Sequence, residues 1–522
     1  MGKAPQHRDG RGVRLSEILD DPRFIACDDI VARGCQEDPE RCRPGDVFVA
    51  RSTGVGDGHE SVLRAVAHGA SGVIAERMVS AGGAPLCLVR DADRAQARLC
   101  HALAGDPAAA LKIVAVTGTS GKTTATWLAA AVLAEAGRRV GVLSGLGCLD
   151  DQATVPEPAD YAAPADLAGW LGRLAAAGCT HAVVEVSSAM LARQSLAGVD
   201  AAIVAVTNLG TAHLDLHGTP RAYRAIKARI LDTLGADGCL VTGTPTPVID
   251  RLCRRAARRC PGVGRISAGL AADCDLSATP VERGLHGQTF LLRAGDQAVP
   301  VAVDVPTAGF VADALVAAAI GLRCGVPIEI AARGIEAAGG IPGRMERLDR
   351  GQDAAVFLDA PTSGHALASS LASLRRLTPG RLAVVADDRW LMRFGAGAAR
   401  RRVARWCDDC VVVPATMLAE MPPGPRRLPA GPRRLAGRHG RRGRPGRRGA
   451  FPRGGDRRLA AAGPPAQAAS RPAGRVTAPE SLPTGESGRT RMDGTGGLGR
   501  QSAAGSAGSD VGPAAVSEES QR

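Results

Sequence analysis

The stretch Ile113–Trp127, IVAVTGTSGKTTATW, restricts the possible folds more than any other part of the chain. An apolar run leads directly into GTSGKTT and then into a helical pattern, the strand–loop–helix context that a phosphate-binding loop requires. A strand apolar at nearly every position needs cover on both faces, which α/β folds with parallel sheets provide. In such a loop the backbone N–H groups of Gly118, Thr119, Ser120, Gly121 and Lys122 can cradle phosphate oxygens at the helix N-terminus. Lys122 adds a positive charge, and the hydroxyl of Thr123 or Thr124 can bind magnesium. The strict motif asks for glycine where Val116 stands, so the match is to a shorter variant. Nucleotide binding is the reading, over a structural glycine turn.

The 522 residues leave room for about three domains at roughly 150 residues each. In residues 1–111, apolar runs (DVFVA, SGVIAE, PLCLV) alternate with helical stretches, which reads as a small α/β domain. Residues 112–340 repeat the alternation on a larger scale, with IVAVTG, RVGVLSG, THAVVEVSS, AAIVAVTNL and CLVTG as strands of a parallel sheet. Residues 341–420 begin another α/β unit and lose periodicity near Glu420. Residues 421–522 are rich in Arg, Pro and Gly and offer too few large apolar side chains to offset ordering entropy, so a disordered tail is expected. Two origins fit so abrupt a change: a natural tail, or a shifted reading frame that replaced the end of the third domain. The second is expected.

The formal charge of +13 is concentrated rather than spread. Between Arg426 and Arg458, 13 arginines against the single acid Asp456 give +12, leaving the remainder close to neutral. A polyanion-binding tail has an electrostatic basis, but only Phe451 interrupts those arginines as an aromatic, so no specific nucleic-acid partner is expected. No apolar run approaches the roughly 20 residues of a membrane span, and the first 30 residues lack a signal-peptide core. A cytoplasmic protein is expected, its fourteen scattered cysteines free thiols and the lone pair Cys407 and Cys410 neither zinc site nor redox motif.

Further candidates follow the loop. Glu185 ends the run HAVVE at the edge where α/β sheets place ligands, and its carboxylate could hold magnesium opposite the loop hydroxyl. His213, His217 and Lys227 lie in TNLGTAHLDLHGTPRAYRAIKARI; taken singly they read equally as surface imidazoles and one member of a basic helix face with Arg224 and Arg229.

Together with RPGDVFVA, DGH at Asp57–His59, EVSS and IPGRMERL, this ordered series resembles the Mur ligases, the ATP-dependent amino-acid ligases of peptidoglycan synthesis, and within them the branch that adds the third residue. The resemblance spans about Val13 to Glu420. It implies a three-domain architecture with a central P-loop ATPase domain and, in this chain, an incomplete third domain. It also implies an acyl-phosphate mechanism joining an amino acid, a diamino acid by expectation, to a UDP-N-acetylmuramoyl dipeptide, with ATP and Mg2+, by a monomer. By the same resemblance, Lys122 and Thr123 serve the phosphates and magnesium. Glu185, His213 and Lys227 are metal-site residues, Lys227 in carbamylated form, and Lys122, Lys227 and His213 form the catalytic set. Arg344 reaches the phosphates, Asp359 the ribose, and Ser187, Ser188, Asp57 and His59 the substrate.

Departures from the family pattern fall mostly on the substrate side. The family's DSR is Asp38, Pro39 and Glu40; its TTP is Ala162, Ala163 and Pro164; its His, Gln and Arg after EVSS are Ala189, Arg193 and Ser195. Its RDH is Thr211, Ala212 and His213, and an asparagine of its nucleotide side lies near Asp313. DYAHTPDAL becomes DAPTSGHAL over Asp359–Leu367, and DNPR has no counterpart. Two functions stay open at this point: a working ligase with altered contacts, and an ATP-binding homologue that has lost or changed ligase activity.

Overall fold

The computed structural model describes residues 12–53, 56–150, 154–155, 162–210, 217–393 and 396–414. The candidate His213 and the tail expected over 421–522 lie outside them.

The N-terminal part is a five-stranded sheet in the order Arg23–Ile25, Leu86–Leu88, Gly72–Ala75, Asp46–Val49, Gly34–Gln36. Four strands are parallel, and Arg23–Ile25 adds an antiparallel edge. The helix Ala92–Leu103 covers one face, its start capped by the Asp91 carboxylate on the Arg94 N–H.

The centre is an eight-stranded sheet. Six parallel strands run in the order Val140–Ser144, His181–Glu185, Lys112–Thr117, Ala201–Val206, Leu234–Thr242, Gly264–Ser267, and an antiparallel hairpin, Gly147–Leu149 with Thr154–Val155, extends the first edge. Its strands feed two cores by simple alternation: Val114 and Val116 face one, Ile113 and Ala115 the other. The first core contains the helices Lys122–Glu135, Ala308–Arg323 and Ile328–Ala338, the second Pro164–Ala176 and Pro247–Arg259. Low aromatic content is answered by close helix packing: a Cβ on Gly334 would fall 2.6 Å from Val132 Cα.

Strand–helix alternation does not continue through this region as the sequence pattern suggests. Leu276–Gly284, Gly287–Ala294 and Gln297–Val303 form a three-stranded antiparallel meander. The second turn needs only Gly295 and Asp296, with Gly295 at φ +57°, a tight hairpin that a parallel crossover excludes.

The third segment pairs Glu346–Leu348 with Val356–Leu358 antiparallel and Ala383–Asp387 with Asp409–Val413 parallel, around the helix Gly364–Leu377. Val385 and Val411 are 70% and 53% exposed, so this second pair leaves apolar side chains uncovered. No described helix is long and apolar enough to cross a membrane, and the fourteen cysteines are free.

Candidate nucleotide-binding and active site

All six parallel strands end at one edge of the central sheet, where the loop after Lys112–Thr117 meets Glu185 and the segment Thr207–Gly210. The loop conformation requires glycine twice. Gly118 sits at φ +158°, where a Cβ would fall 2.0 Å from Thr207 Oγ1, and Gly121 at φ +79°, where one would fall 2.0 Å from Asp313 Oδ1.

The loop is fastened from the neighbouring strand. Thr119 N–H donates to the Asn208 carbonyl (3.1 Å) and Ser120 N–H to Asn208 Oδ1 (3.1 Å), while Asn208 Nδ2 and Thr207 Oγ1 donate to the Ser120 carbonyl at 3.0 and 2.6 Å. The Thr119 hydroxyl accepts from Gly210 N–H at 2.9 Å and from the Tyr223 hydroxyl at 3.3 Å. Two of the five loop amides are thus engaged within the protein. Ser120 to Thr124 line a cavity of about 340 Å³, with Asp313, Arg344 and Asp359 on its other walls.

From the cavity wall, Thr123 Oγ1 donates outward to Glu185 Oε2 at 2.9 Å, and the same carboxylate oxygen accepts from Gly145 N–H at 3.2 Å. Arg344 Nη2 donates to Thr123 Oγ1 at 3.3 Å. Burial lowers the Lys122 amine below its ordinary value; Glu185 and Asp313 oppose that shift and Arg344 adds to it. Lys227 is 2% exposed, its Nζ donates to Thr117 Oγ1 at 2.9 Å, and burial followed by Lys122 holds it well below the ordinary lysine range. Both causes favour the unprotonated, nucleophilic amine over the cation.

Asp359 is held by Met345 N–H (3.2 Å) and the Ser370 hydroxyl (2.8 Å), and burial raises its carboxyl. Ser187 caps the helix Ser188–Ala192 by accepting from Met190 N–H, and Ser188 is buried. Asp57 and His59 are bonded to each other at 2.6 Å, while His59 Nε2 accepts from Glu76 N–H and Asp57 from Arg77, so these contacts stay inside the N-terminal part. The sequence assigned no individual role to Asn208 or Tyr223. The available signal for the first was an asparagine directly after a buried strand at the ligand edge.

Of the altered positions after EVSS, Arg193 is engaged through its side chain and Ser195 through its main-chain carbonyl, with Gln194 between them. Arg193 Nη2 donates to both Glu37 carboxylate oxygens at 3.1 Å, Gln194 donates to Asp91, and the Ser195 carbonyl is 2.9 Å from His101 Nε2. Three consecutive residues therefore tie the central sheet to the N-terminal part.

Residues 116–321 match the family model of the Mur ligase middle domain. The chain is 32% identical over 403 residues to the UDP-N-acetylmuramoyl-L-alanyl-D-glutamate–2,6-diaminopimelate ligase of Agrobacterium fabrum, covering 73% of this chain and 77% of that protein. It is 29% identical over 417 residues to the like-named enzyme of Syntrophomonas wolfei, covering 75% and 81%. A solved structure of a UDP-N-acetylmuramoyl-L-alanyl-D-glutamate–2,6-diaminopimelate ligase shares the fold with TM-score 0.60 at 23% identity, over 77% of this chain and 82% of that one. With a matching middle domain and identity sustained over three quarters of a relative's length, the chain belongs to the Mur ligase family.

Proposed function

We propose that this ATP-dependent ligase adds the third amino acid, a diamino acid, to UDP-N-acetylmuramoyl-L-alanyl-D-glutamate in the cytoplasm, acting as a monomer without membrane or specific nucleic-acid partners. The observation that carries the reading is the Thr123–Glu185 hydrogen bond of 2.9 Å, set between Lys122 and Arg344 at the sheet edge. A hydroxyl and a carboxylate sharing one buried place form an oxygen donor set suited to Mg2+. The names of the relatives supply the substrates.

In this reading the loop and Lys122 hold the β- and γ-phosphates of ATP, and Arg344 reaches the same charge from the third segment. Thr123, Glu185, His213 and carbamylated Lys227 would hold magnesium, which would supply positive charge against which phosphate and carboxylate can approach. The substrate carboxylate attacks the γ-phosphorus, ADP leaves, and the amine of the incoming amino acid displaces phosphate to give the amide. An unprotonated amine is the form of Lys227 that adds CO2, losing a proton and becoming a carbamate anion, and its burial favours that form. Asp359 orients the ribose, and Ser187, Ser188, Asp57 and His59 serve the muramoyl substrate.

The test is phosphate release from ATP in the presence of UDP-N-acetylmuramoyl-L-alanyl-D-glutamate with diaminopimelate or lysine. Release that requires both the nucleotide-sugar dipeptide and a diamino acid is expected. Release indifferent to either one overturns the reading.

A further inference from the structure

Asp313 stands on the helix Ala308–Arg323, turned toward the loop. Its Oδ1 is so close to Gly121 that a Cβ there would fall 2.0 Å away, and its Oδ2 would be at 2.6 Å. The residue is 9% exposed and lines the nucleotide cavity, and it accepts no hydrogen bond from any described residue. Among the described residues, Lys122 and Arg344 offset its charge, and in the proposed function both meet phosphates. Among the other charged groups nearby, Asp359 and His365 line the same cavity, and Glu185 acts on Lys122 from the strand end. On the neighbouring helices, Glu135 and Arg333 pair with each other and Glu336 accepts from Ala302 N–H. An asparagine, which the family resemblance leads one to expect near this place, would bring no charge.

When ionised, a carboxylate so placed is an anion where a polyanion must enter. Once phosphates engage Lys122 and Arg344, an ionised Asp313 would lie desolvated beside them, and protonation removes both the repulsion and the desolvation cost. We infer that Asp313 couples nucleotide binding to uptake of a proton, so that affinity for a nucleoside triphosphate falls as pH rises. The direction agrees with burial, which already pushes this carboxyl well above the usual carboxylate range without nucleotide. The sign follows from linkage: a group whose pKa is higher in the complex than in the free protein takes up a proton on binding, and affinity is lost as pH climbs between the two values.

This inference rests on the nucleotide-binding reading of the cavity, and titration calorimetry separates the two. A non-hydrolysable ATP analogue with Mg2+ is titrated into the full chain over about pH 6 to 9, in buffers of different ionisation enthalpy. The wild type should take up more protons on binding than Asp313→Asn, and its Kd should rise by up to about tenfold per pH unit across the linked window. Asp313→Asn and Asp313→Ala should both show flat profiles, with melting curves confirming that they are folded. Binding with equal proton uptake in wild type and Asp313→Asn sinks the inference and leaves the nucleotide site standing. No binding by the wild type at any pH sinks both.

Discussion

The nucleotide cleft and the junction between the central sheet and the N-terminal part use the same kinds of side chain for different ends. In the cleft, Lys122, Asp313, Arg344 and Asp359 line a cavity, with Glu185 reaching Thr123 and buried Lys227 reaching Thr117 behind it, and the glycine-rich loop is bonded to Asn208 and Tyr223 rather than closed on itself. At the junction, Arg193, Gln194 and Ser195 are satisfied by Glu37, Asp91 and His101. Gln194 adopts φ +49°, an unusual conformation for a non-glycine residue, to make that contact. Charged groups concentrated around open space suit ligand chemistry, whereas charged groups matched one to another hold the fold. The departure at Arg193 is therefore not a simple loss, since its side chain is bonded to Glu37 of the N-terminal part.

The largest effect that separates the two regions should come from Lys122→Ala. Removing a cation from developing phosphoryl charge costs on the order of 10² to 10³ in turnover, read as ADP formation in a coupled assay, with little change in melting temperature. An equal loss of stability would place Lys122 with the junction residues. Lys227→Ala should lower turnover by roughly 10²-fold. If a carbamate is what matters, small carboxylates such as acetate should restore part of the rate; a variant that no carboxylate rescues removes that role.

Asn208→Ala tests whether the cleft is built from outside the loop. It removes an acceptor for Ser120 N–H and a donor to the Ser120 carbonyl, each worth about 1 kcal/mol. The expected result is about tenfold weaker binding of an ATP analogue by calorimetry, with the fold retained. Unchanged affinity would mean that the loop holds its shape unaided.

How much of this was readable in the sequence differs between the regions for physical reasons. The loop was legible because phosphate binding needs glycine at fixed places and a strand before them, and both are local. Glu185 was legible as a strand-end carboxylate, though its bond to Thr123 spans 62 residues of sequence. The Arg193–Glu37 pair joins loop positions 156 apart, one after the strand Gly34–Gln36 and one after the helix Ser188–Ala192, and no local pattern announces it. The antiparallel meander at Leu276–Val303 went unread because its strands do not alternate cleanly: Leu276–Gly284 is mostly exposed, and only Gly287–Ala294 places every second side chain inward.

Arg193→Ala addresses the junction directly. Burial acts to raise the Glu37 carboxyl, and Arg193 and Arg51 outweigh it, leaving it below the usual value. Because the Glu37 side chain is 42% exposed, the loss in stability should be modest, about 1 kcal/mol. The contribution is present above the unfolded carboxyl value and lost as pH falls through the folded one. Melting temperatures of wild type and variant should therefore differ at pH 7 and converge in acid. A difference that persists in acid would assign the contact to packing instead.

The smallest effect isolates the comparison within a single strand, His181–Glu185, which ends at the proposed magnesium ligand and begins at a buried histidine. His181 is 4% exposed, and burial, with help from Lys112 and Arg138, lowers it to about 4. Folding thus holds the imidazole neutral to lower pH than the unfolded chain, which protonates it below the ordinary histidine value of 6.5. Stability from this residue is present above that value and declines as pH falls toward about 4, by at most about 1.4 kcal/mol per pH unit. His181→Gln should flatten part of the acid branch of the melting curve, with His101, also held neutral by burial, accounting for some of what remains. Binding of an ATP analogue should not change, because Glu185 sits at the opposite end of the strand and is fixed there by Thr123 and Gly145. A variant that melts like wild type at every pH, or binds the analogue several-fold more weakly, would show that the two ends of this strand are not independent.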